Sequence, residues 1–191
     1  ADGIWSSIAS IMVDGTPYRI RDIYNKTVTK ETNGHLLVKA YLPHLPVEIE
    51  QRLSPVVRNG QASVLISILV KNNDRVPHIL GVRLMLDTWP GQTDDITFII
   101  PGPKGSNVMT HEVEFTPSWA PVWQTYDLPA GRGQGARMLC MQNITVGKEL
   151  VPPDKIAFAS WPRAYRSEWD FYVNTNYSVT GWSSSTILWW N

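Results

Sequence analysis

Three aspartates gather in one short turn of the sequence. Asp87, Asp94 and Asp95 lie within the nine residues DTWPGQTDD, between two strongly apolar segments. Carboxylate oxygens are ligands that Ca²⁺ prefers, and loops between strands can supply them, although this spacing is not that of an EF-hand loop. Calcium binding is one interpretation of this turn. In the other, Asp87 ends a strand by accepting hydrogen bonds from turn amides, while Asp94 and Asp95 are solvated.

The four histidines offer little for catalysis, because they are far apart in the sequence. The segment HEVEF lacks the second histidine of a zinc-protease helix. His111 with Glu112 or Glu114 is the one pairing suited to acid–base chemistry of the mutarotase or lyase type. On a strand His111 and Glu112 point to opposite faces, which leaves Glu114 across a bend or a distant partner. Nucleophile elbows and phosphate loops are also missing, so we predict that the protein is not an enzyme.

Tryptophan is abundant, with nine residues in a chain of which only 18% is charged. Exposed indole faces stack on sugar rings or pack against a neighbouring subunit. The candidates for such contacts are Trp5, Trp119, Trp123, Trp161, Trp182, Trp189 and Trp190. We nevertheless expect most of the nine to be largely buried, because Trp169 and Trp189 sit in strand-like alternation.

Several features fit a protein outside the cell. Sequons occur at Asn25, Asn143 and Asn176, where glycans could be attached. The chain begins ADGIW without Met, as after cleavage by a peptidase or after trimming, and it contains no signal peptide. The lone Cys140 lies in an apolar run, which predicts a buried thiol, and no intrachain disulfide can form. We expect a secreted or cell-surface protein.

Charge and hydropathy exclude two classes of partner. Basic and acidic residues are balanced at 17 each, so the chain has no net positive field for nucleic acid. Its apolar stretches all fall short of the 18 uninterrupted residues of a membrane-spanning helix. Self-association and glycan binding remain as the candidate interactions.

The apolar periodicity is that of strands. Short segments rich in Val, Ile, Tyr and Trp alternate with Gly, Pro, Asn and Asp breaks, as in an all-β protein. In VEIEQRL, Val47, Ile49 and Leu53 are predicted to face inward, with polar residues between them. ASVLISILVK is apolar on both faces, which predicts a central strand covered on both sides. GVRLMLD is predicted to pair with it as a hairpin.

We therefore predict one antiparallel β-sandwich domain over residues 1–191, with at most one or two short helices. The segment PRAYRSEW is the place for a helix, because Pro162 suits a first helical position and Tyr165 and Trp169 are four residues apart. Strand-like segments stand near both ends of the sequence, at IWSSIASIMV and STILWWN. Such a strand either lies at a sheet edge, where it invites pairing with another chain, or pairs within its own domain.

Four segments in this order resemble a poorly characterised all-β module of large secreted and cell-surface proteins of bacteria and archaea. They are VLISILVKNNDRVPHILGVRLMLDTWPGQTDDITFIIPG, WAPVWQTYD, PPDKIAFASWPRAYRSEWDFYV and STILWW. The opening GIWSSIASIMVDGTPYRI is similar to the start of that module. The resemblance implies a large β-sandwich outside the cell and brings no assigned activity. This chain reads QTDD where the module usually has Asn-Asp-Gly.

These observations lead to a hypothesis of structural function. We expect a secreted, non-enzymatic subunit of an extracellular filament, tube or surface layer, which assembles through edge strands or strand exchange, with calcium as its candidate cofactor. The alternative is a carbohydrate-binding module that uses loop tryptophans. The third hypothesis is a sugar-active enzyme that uses His111 and Glu114.

Overall fold

The computed structural model describes most of the chain, and most of its residues lie in β-strands. The described residues are 7–58, 60–87, 96–103, 105–115, 122–127, 138–144, 147, 150–180 and 184–191. Their strands are β1 (Ile8–Val13), β2 (Thr16–Arg19), β3 (Lys26–Lys30), β4 (Leu36–Tyr41), β5 (Val47–Arg58), β6 (Gln61–Asn72), β7 (Leu80–Asp87), β8 (Ile96–Gly102), β9 (Gly105–Met109), β10 (Val113–Phe115), β11 (Val122–Asp127), β12 (Met138–Ile144), β13 (Lys155–Ser160) and β14 (Ser184–Trp190). In these ranges one short helix, α1 (Trp161–Arg166), follows β13, and a 3-10 turn covers Ile20–Asp22. The predicted all-β sandwich is confirmed.

The chain forms two compact units. The sandwich unit contains Ala1–Ser10 and Gly81–Asn191, and the hairpin unit contains Ile11–Leu80. The chain passes from the first unit to the second within β1 and returns at the start of β7. A single domain over residues 1–191 stays a prediction.

Aromatic side chains hold the two sheets of the sandwich unit together. In one sheet the strands that enter this unit follow the order β10-β13-β14-β7-β1, and the other sheet has the order β12-β11-β8-β9. Phe158 of β13 lies 4.9 Å from Phe98 and 5.9 Å from Trp123, measured between ring centroids. Its neighbours Ala157 and Ala159 point to the opposite face, because side chains alternate along a strand. The sequence KIAFAS thus packs a large residue on one face and small ones on the other.

The small face of β13 accommodates α1. Ala157, Ala159 and Ala164 belong to one buried cluster, against which Trp161 and Tyr165 pack. The rings of Trp161 and Tyr165 stack with their centroids 4.7 Å apart, as expected for residues four apart on a helix. Proline lies in the first turn, so the predicted helix is confirmed over its first part, but the helix ends at Arg166 and does not include Trp169.

Tight turns shape the hairpin unit. Asp14 and Gly15 both have positive φ, 50° and 83°, which is the backbone of a two-residue hairpin turn between β1 and β2. The main sheet of this unit has the strand order β3-β4-β5-β6. Val47 and Ile49 of β5 are buried, so the predicted inward face of VEIEQRL is confirmed at these two positions.

Two predictions about strand neighbours are wrong. β6 pairs with β5 along its whole length and lies at the edge of its sheet, not at the centre. β7 pairs with β14, so β6 and β7 do not form the predicted hairpin. The strand near the end of the sequence, β14, lies between β13 and β7 and has its backbone groups paired on both sides. Of the two interpretations of that strand, pairing within its own unit is the correct one.

Candidate interaction surface

The candidate site is an open sheet edge built by the long hairpin of β5 and β6. The two strands pair over twelve residues each, from Val47 opposite Asn72 to Arg58 opposite Gln61. Gly60 turns the chain between them with a φ of 75°, a conformation that glycine adopts without strain. Among the described strands, β6 has β5 as its one neighbour. An edge strand presents a row of unpaired N–H and C=O groups.

β6 exposes large aliphatic side chains on both of its faces. Val64 is 63% exposed and Leu69 is 60% exposed, and their odd spacing places them on opposite faces of the sheet. From Gln61 to Val70 the strand carries no charged side chain. Native edges are usually protected by charges, proline or shortness, and this stretch has none of the three. β6 is therefore an edge suited to pairing with another strand.

An apolar face continues from β6 across the sheet. Residues directly opposite on antiparallel strands share a face, which places Pro55 beside Val64 and Leu53 beside Ile66. At the outer end of β5 on this face, Val57 is 76% exposed. The apolar face is thus uncovered towards the tip of the hairpin, where β6 runs along its border.

The opposite face of the same sheet is charged and internally paired. Lys39 of β4 lies 2.6 Å from Glu50 of β5, which raises the pKa of Lys39 and lowers that of Glu50. Arg52 pairs with Glu31 at 3.2 Å. These pairs give the sheet one polar, solvated face and leave the apolar face and the β6 edge as the surfaces suited to contact.

The sheet's other edge strand, β3, has the protection that β6 lacks. It is five residues long, and lysines stand at both ends, Lys26 and Lys30. The ammonium group of Lys26 donates hydrogen bonds to the carbonyl oxygens of Arg21 and Ile23, at 2.7 and 2.8 Å. A short edge flanked by lysines resists pairing with a further strand.

The predicted metal residues fall mostly outside the described part of the chain. Asp94 and Asp95 lie outside the described residues. Asp87 ends β7, and its backbone N–H donates to the hydroxyl of Ser7 at 3.0 Å. Among the described residues, no group of three His, Cys, Asp or Glu side chains is arranged to hold a metal ion. Calcium binding at this turn stays a prediction.

The residues of the acid–base hypothesis have separate partners. Glu112 is buried, and it accepts hydrogen bonds from Arg163 and from the backbone N–H groups of Ser160 and Asn174. Glu114 pairs with Lys155 at 3.3 Å. His111 is exposed beside an open depression of about 430 Å³, and its Nδ1 lies 2.9 Å from the hydroxyl of the preceding threonine. The arrangement binds Glu112 into the fold and does not join it to His111.

Two of the predicted contact tryptophans are interior residues, which corrects their assignment to a contact surface. Trp123 is 1% exposed and packs on Phe158, and Trp189 is 2% exposed. Their indoles fill the core because each sits on an inward-facing strand position. Trp161 and Trp190 are half-buried, and the Trp190 indole N–H donates to the carbonyl of Val151 at 2.9 Å. The remaining candidates lie outside the described residues: Trp5, Trp119 and Trp182.

The sequons occupy three different settings. Asn25 is exposed in the bend before β3, and Asn176 is exposed in a turn after α1. Asn143 lies in β12, where its backbone pairs with Trp123, and its side chain is outside the description. Exposure at Asn25 and Asn176 is compatible with glycans, and their occupancy stays a prediction.

Sequence reasoning missed a second polar cluster, in the hairpin unit. His78 Nδ1 lies 2.6 Å from a carboxylate oxygen of Asp14, and its Nε2 lies 3.3 Å from one of Asp74. The bond to Asp14 raises the pKa of His78, and the contact with Asp74 raises it further. The pKa values of both aspartates are lowered, that of Asp14 mainly by His78 and that of Asp74 mainly by the Arg75 N–H. Only the Asp74–His78 spacing of four residues is visible in the sequence.

Comparisons with known proteins add no family to this picture. The chain matches no protein-family model, no curated protein and no solved structure. Within the residues that the structure describes, no helix is long and apolar enough to cross a lipid bilayer.

Proposed function

We propose that the protein is a non-enzymatic structural subunit that associates with copies of itself through the β6 edge. Its assemblies would be the filaments, tubes or surface layers outside the cell that the sequence suggests. The observation that carries the proposal is the long, uncharged, apolar edge of β6. Such an edge supplies main-chain hydrogen bonds for affinity, while the alternate side chains on each face supply specificity.

A second copy of the chain is the partner that fits this edge. Because β6 carries Leu65 and Leu69 on one face and valines and isoleucines on the other, its partner strand should offer aliphatic side chains to both faces. The β6 strand of another copy meets this requirement, and its nearest charge is Lys71, at the end of the strand. Addition of such a strand would also extend the apolar face that Val64 and Val57 leave exposed.

Two further observations support a place outside the cell. Asn25 and Asn176 are exposed at sequons, as glycosylation requires. The resemblance to modules of secreted and cell-surface proteins points to the same compartment. Membership of that module family, like the location, belongs to the proposal.

The test is sedimentation velocity over a wide concentration range, with the variant Val64→Lys/Leu69→Lys. Two lysines on opposite faces of β6 would be desolvated in a strand-paired assembly, so we expect self-association to weaken at least about tenfold. Both positions are exposed, so the free energy of unfolding should change by less than about 0.5 kcal/mol per substitution. The matched control is Val28→Lys on β3, where the native side chain is 61% exposed.

Association that is lost in the β6 variant and kept in the β3 variant supports the proposal. A wild-type chain that sediments as a monomer at every concentration would contradict it. The same samples imaged by negative-stain electron microscopy, with Ca²⁺ and with a chelator, show whether association extends into ordered polymers. Loss of polymers in chelator alone would place calcium at the contacts and make Asp87, Asp94 and Asp95 the next residues to change.

A further inference from the structure

The centre of β6 has the same sequence in both directions. Residues 64–70 read Val-Leu-Ile-Ser-Ile-Leu-Val, with Ser67 at the middle. All seven residues belong to the described strand, and none carries a charge. A symmetric sequence on an unprotected edge is complementary to itself when the partner strand runs antiparallel.

We propose that β6 pairs antiparallel with β6 of a second copy, in the register that places Ser67 opposite Ser67. This inference rests on the proposed function and specifies its contact. In this register Ile66 faces Ile68, Leu65 faces Leu69 and Val64 faces Val70. Side chains that face each other across two strands are the unit of stabilisation in a sheet. In this register each such pair joins two side chains of the same type and size.

The symmetry of the pairing restricts the register. Two identical edges that pair antiparallel are related by a two-fold axis perpendicular to the sheet, so both copies keep the same face upward. Residues that face each other must then lie on the same face of the sheet, because a slip of one residue moves every side chain to the other face. The two-fold axis can therefore pass only through a residue, such as Ile66, Ser67 or Ile68. The exposed apolar faces of the two copies become one continuous face.

Neighbouring allowed registers are poorer. With Ile66 on the axis, Leu65 would face Ser67 and Leu69 would face Ser63. With Ile68 on the axis, Leu65 would face Lys71. Only the axis at Ser67 places each aliphatic side chain of residues 64–70 opposite its equal, and it leaves Lys71 facing Ser63, away from the other lysine.

This contact closes on two copies. An interface that uses the same patch on both partners is complete as a dimer, and it generates no filament by itself. A filament, tube or layer would then be built from dimers that meet through a different surface. The dimer is the smallest assembly that the β6 edge specifies.

Cysteine cross-linking tests the register. In a Cys140→Ser background, Ser67→Cys should form a disulfide-linked dimer under mild oxidation, because directly opposed residues have Cα atoms roughly 4.5–5.5 Å apart, within disulfide range. Ser67 is exposed, so the substitution leaves the core unchanged. The matched control is Ser63→Cys, on the same face of β6. In the proposed dimer the two Ser63 residues are eight positions apart, about 27 Å, and should not cross-link.

A mixture of Ser63→Cys and Lys71→Cys chains completes the design. These positions face each other in the proposed register, so the mixture should give a mixed dimer that neither chain forms alone. Association without a Ser67 cross-link, or with Ser63 linked to itself, overturns the register and leaves the proposed function standing. Monomeric sedimentation of the uncross-linked chain overturns both.

Discussion

The two units of this protein use similar apolar strands in opposite ways. In the sandwich unit, β13 and β14 have neighbours on both sides, and almost every side chain in them is buried. In the hairpin unit, the equally apolar β6 has one described neighbour and exposes large aliphatic residues. An apolar strand is therefore not by itself a core strand. The sandwich unit buries its most apolar strands, and the hairpin unit contains the proposed surface for association.

Polar chemistry sharpens the contrast. The sandwich unit contains the buried carboxylate of Glu112, which joins the start of β10, the residue before α1 and the turn at Asn174. Arg163 completes the pair, and its guanidinium lies 4.4 Å from the ring centroid of Tyr177. The hairpin unit instead places the Lys39–Glu50 and Arg52–Glu31 pairs on a solvated face. Variants in the two units should accordingly affect different measurements.

The largest effect is expected for Glu112→Ala. The substitution leaves the guanidinium of Arg163 and two backbone N–H groups without their acceptor, at a cost of about 3–5 kcal/mol in the free energy of unfolding. Urea denaturation monitored by tryptophan fluorescence measures this loss. The β6 contact should be retained by the fraction that stays folded.

Glu114→Ala is the control for that measurement. Glu114 lies two residues further along, and its pair with Lys155 is more than a third exposed on the glutamate side. Exposed ion pairs contribute about 0–1 kcal/mol, so this variant should stay close to the wild type. An equal decrease in the free energy of unfolding for the two glutamate variants would show that the buried pair stabilises the sandwich unit no more than the exposed one.

The second effect concerns close packing in the sandwich unit, at Gly81. A Cβ added there would lie 2.8 and 2.9 Å from two ring atoms of Trp169, well inside normal contact. We expect Gly81→Ala to lower the free energy of unfolding by about 1–3 kcal/mol, as overpacking usually does. Trp169→Phe replaces the indole with a smaller ring, so Gly81→Ala should lower the free energy of unfolding by less in that background. A double-mutant cycle measures the coupling, and an uncoupled pair would contradict the steric account.

The fold class could be predicted from the sequence because the strand periodicity and turn residues are local signals. The buried positions Val47 and Ile49 of β5 followed from the same alternation. The position of β6 could not be predicted this way, because a continuous apolar run predicts burial on both faces regardless of what surrounds it. Whether a strand lies at an edge depends on long-range pairing, and the charges that would have marked an ordinary edge are missing from β6.

The polar clusters show the same limit. Glu112 and Arg163 are 51 positions apart, and Asp14 and His78 are 64 apart. No local pattern connects such pairs, so the sequence predicted only that His111 and Glu112 point to opposite faces of a strand. In the structure both residues precede β10, and His111 is exposed whereas Glu112 is buried. The sequence could therefore predict which residues differ in exposure, and it could not predict which distant polar residues form pairs.

The smallest effect is local to the hairpin unit, where Asp14 joins the β1–β2 turn to the segment after β6. One carboxylate oxygen of Asp14 contacts His78, and the other accepts a hydrogen bond from the Ile79 N–H at 2.9 Å. Asp14→Asn keeps the size of the side chain and suits the positive φ at this position. We expect it to lower the pKa of His78, which an NMR titration of the imidazole measures. The control is Asp22→Asn, because the native Asp22 carboxylate pairs with Arg21 and not with His78.

The pH dependence of this cluster follows from the directions of its pKa shifts. Because folding raises the pKa of His78, its contribution to stability is complete below its ordinary pKa, near 6.5, and is lost as pH rises through the raised value. Because folding lowers the pKa of Asp14, that contribution is complete above about pH 4 and is lost as pH falls through the lowered value. Hydrogen exchange at the Ile79 amide, corrected for its intrinsic rate, should therefore be slowest between about pH 4 and 6.5. In Asp14→Asn this optimum should flatten, while the unfolding transition of the sandwich unit stays in place. A wild-type optimum that survives the substitution would mean that His78 and Asp14 do not hold this segment.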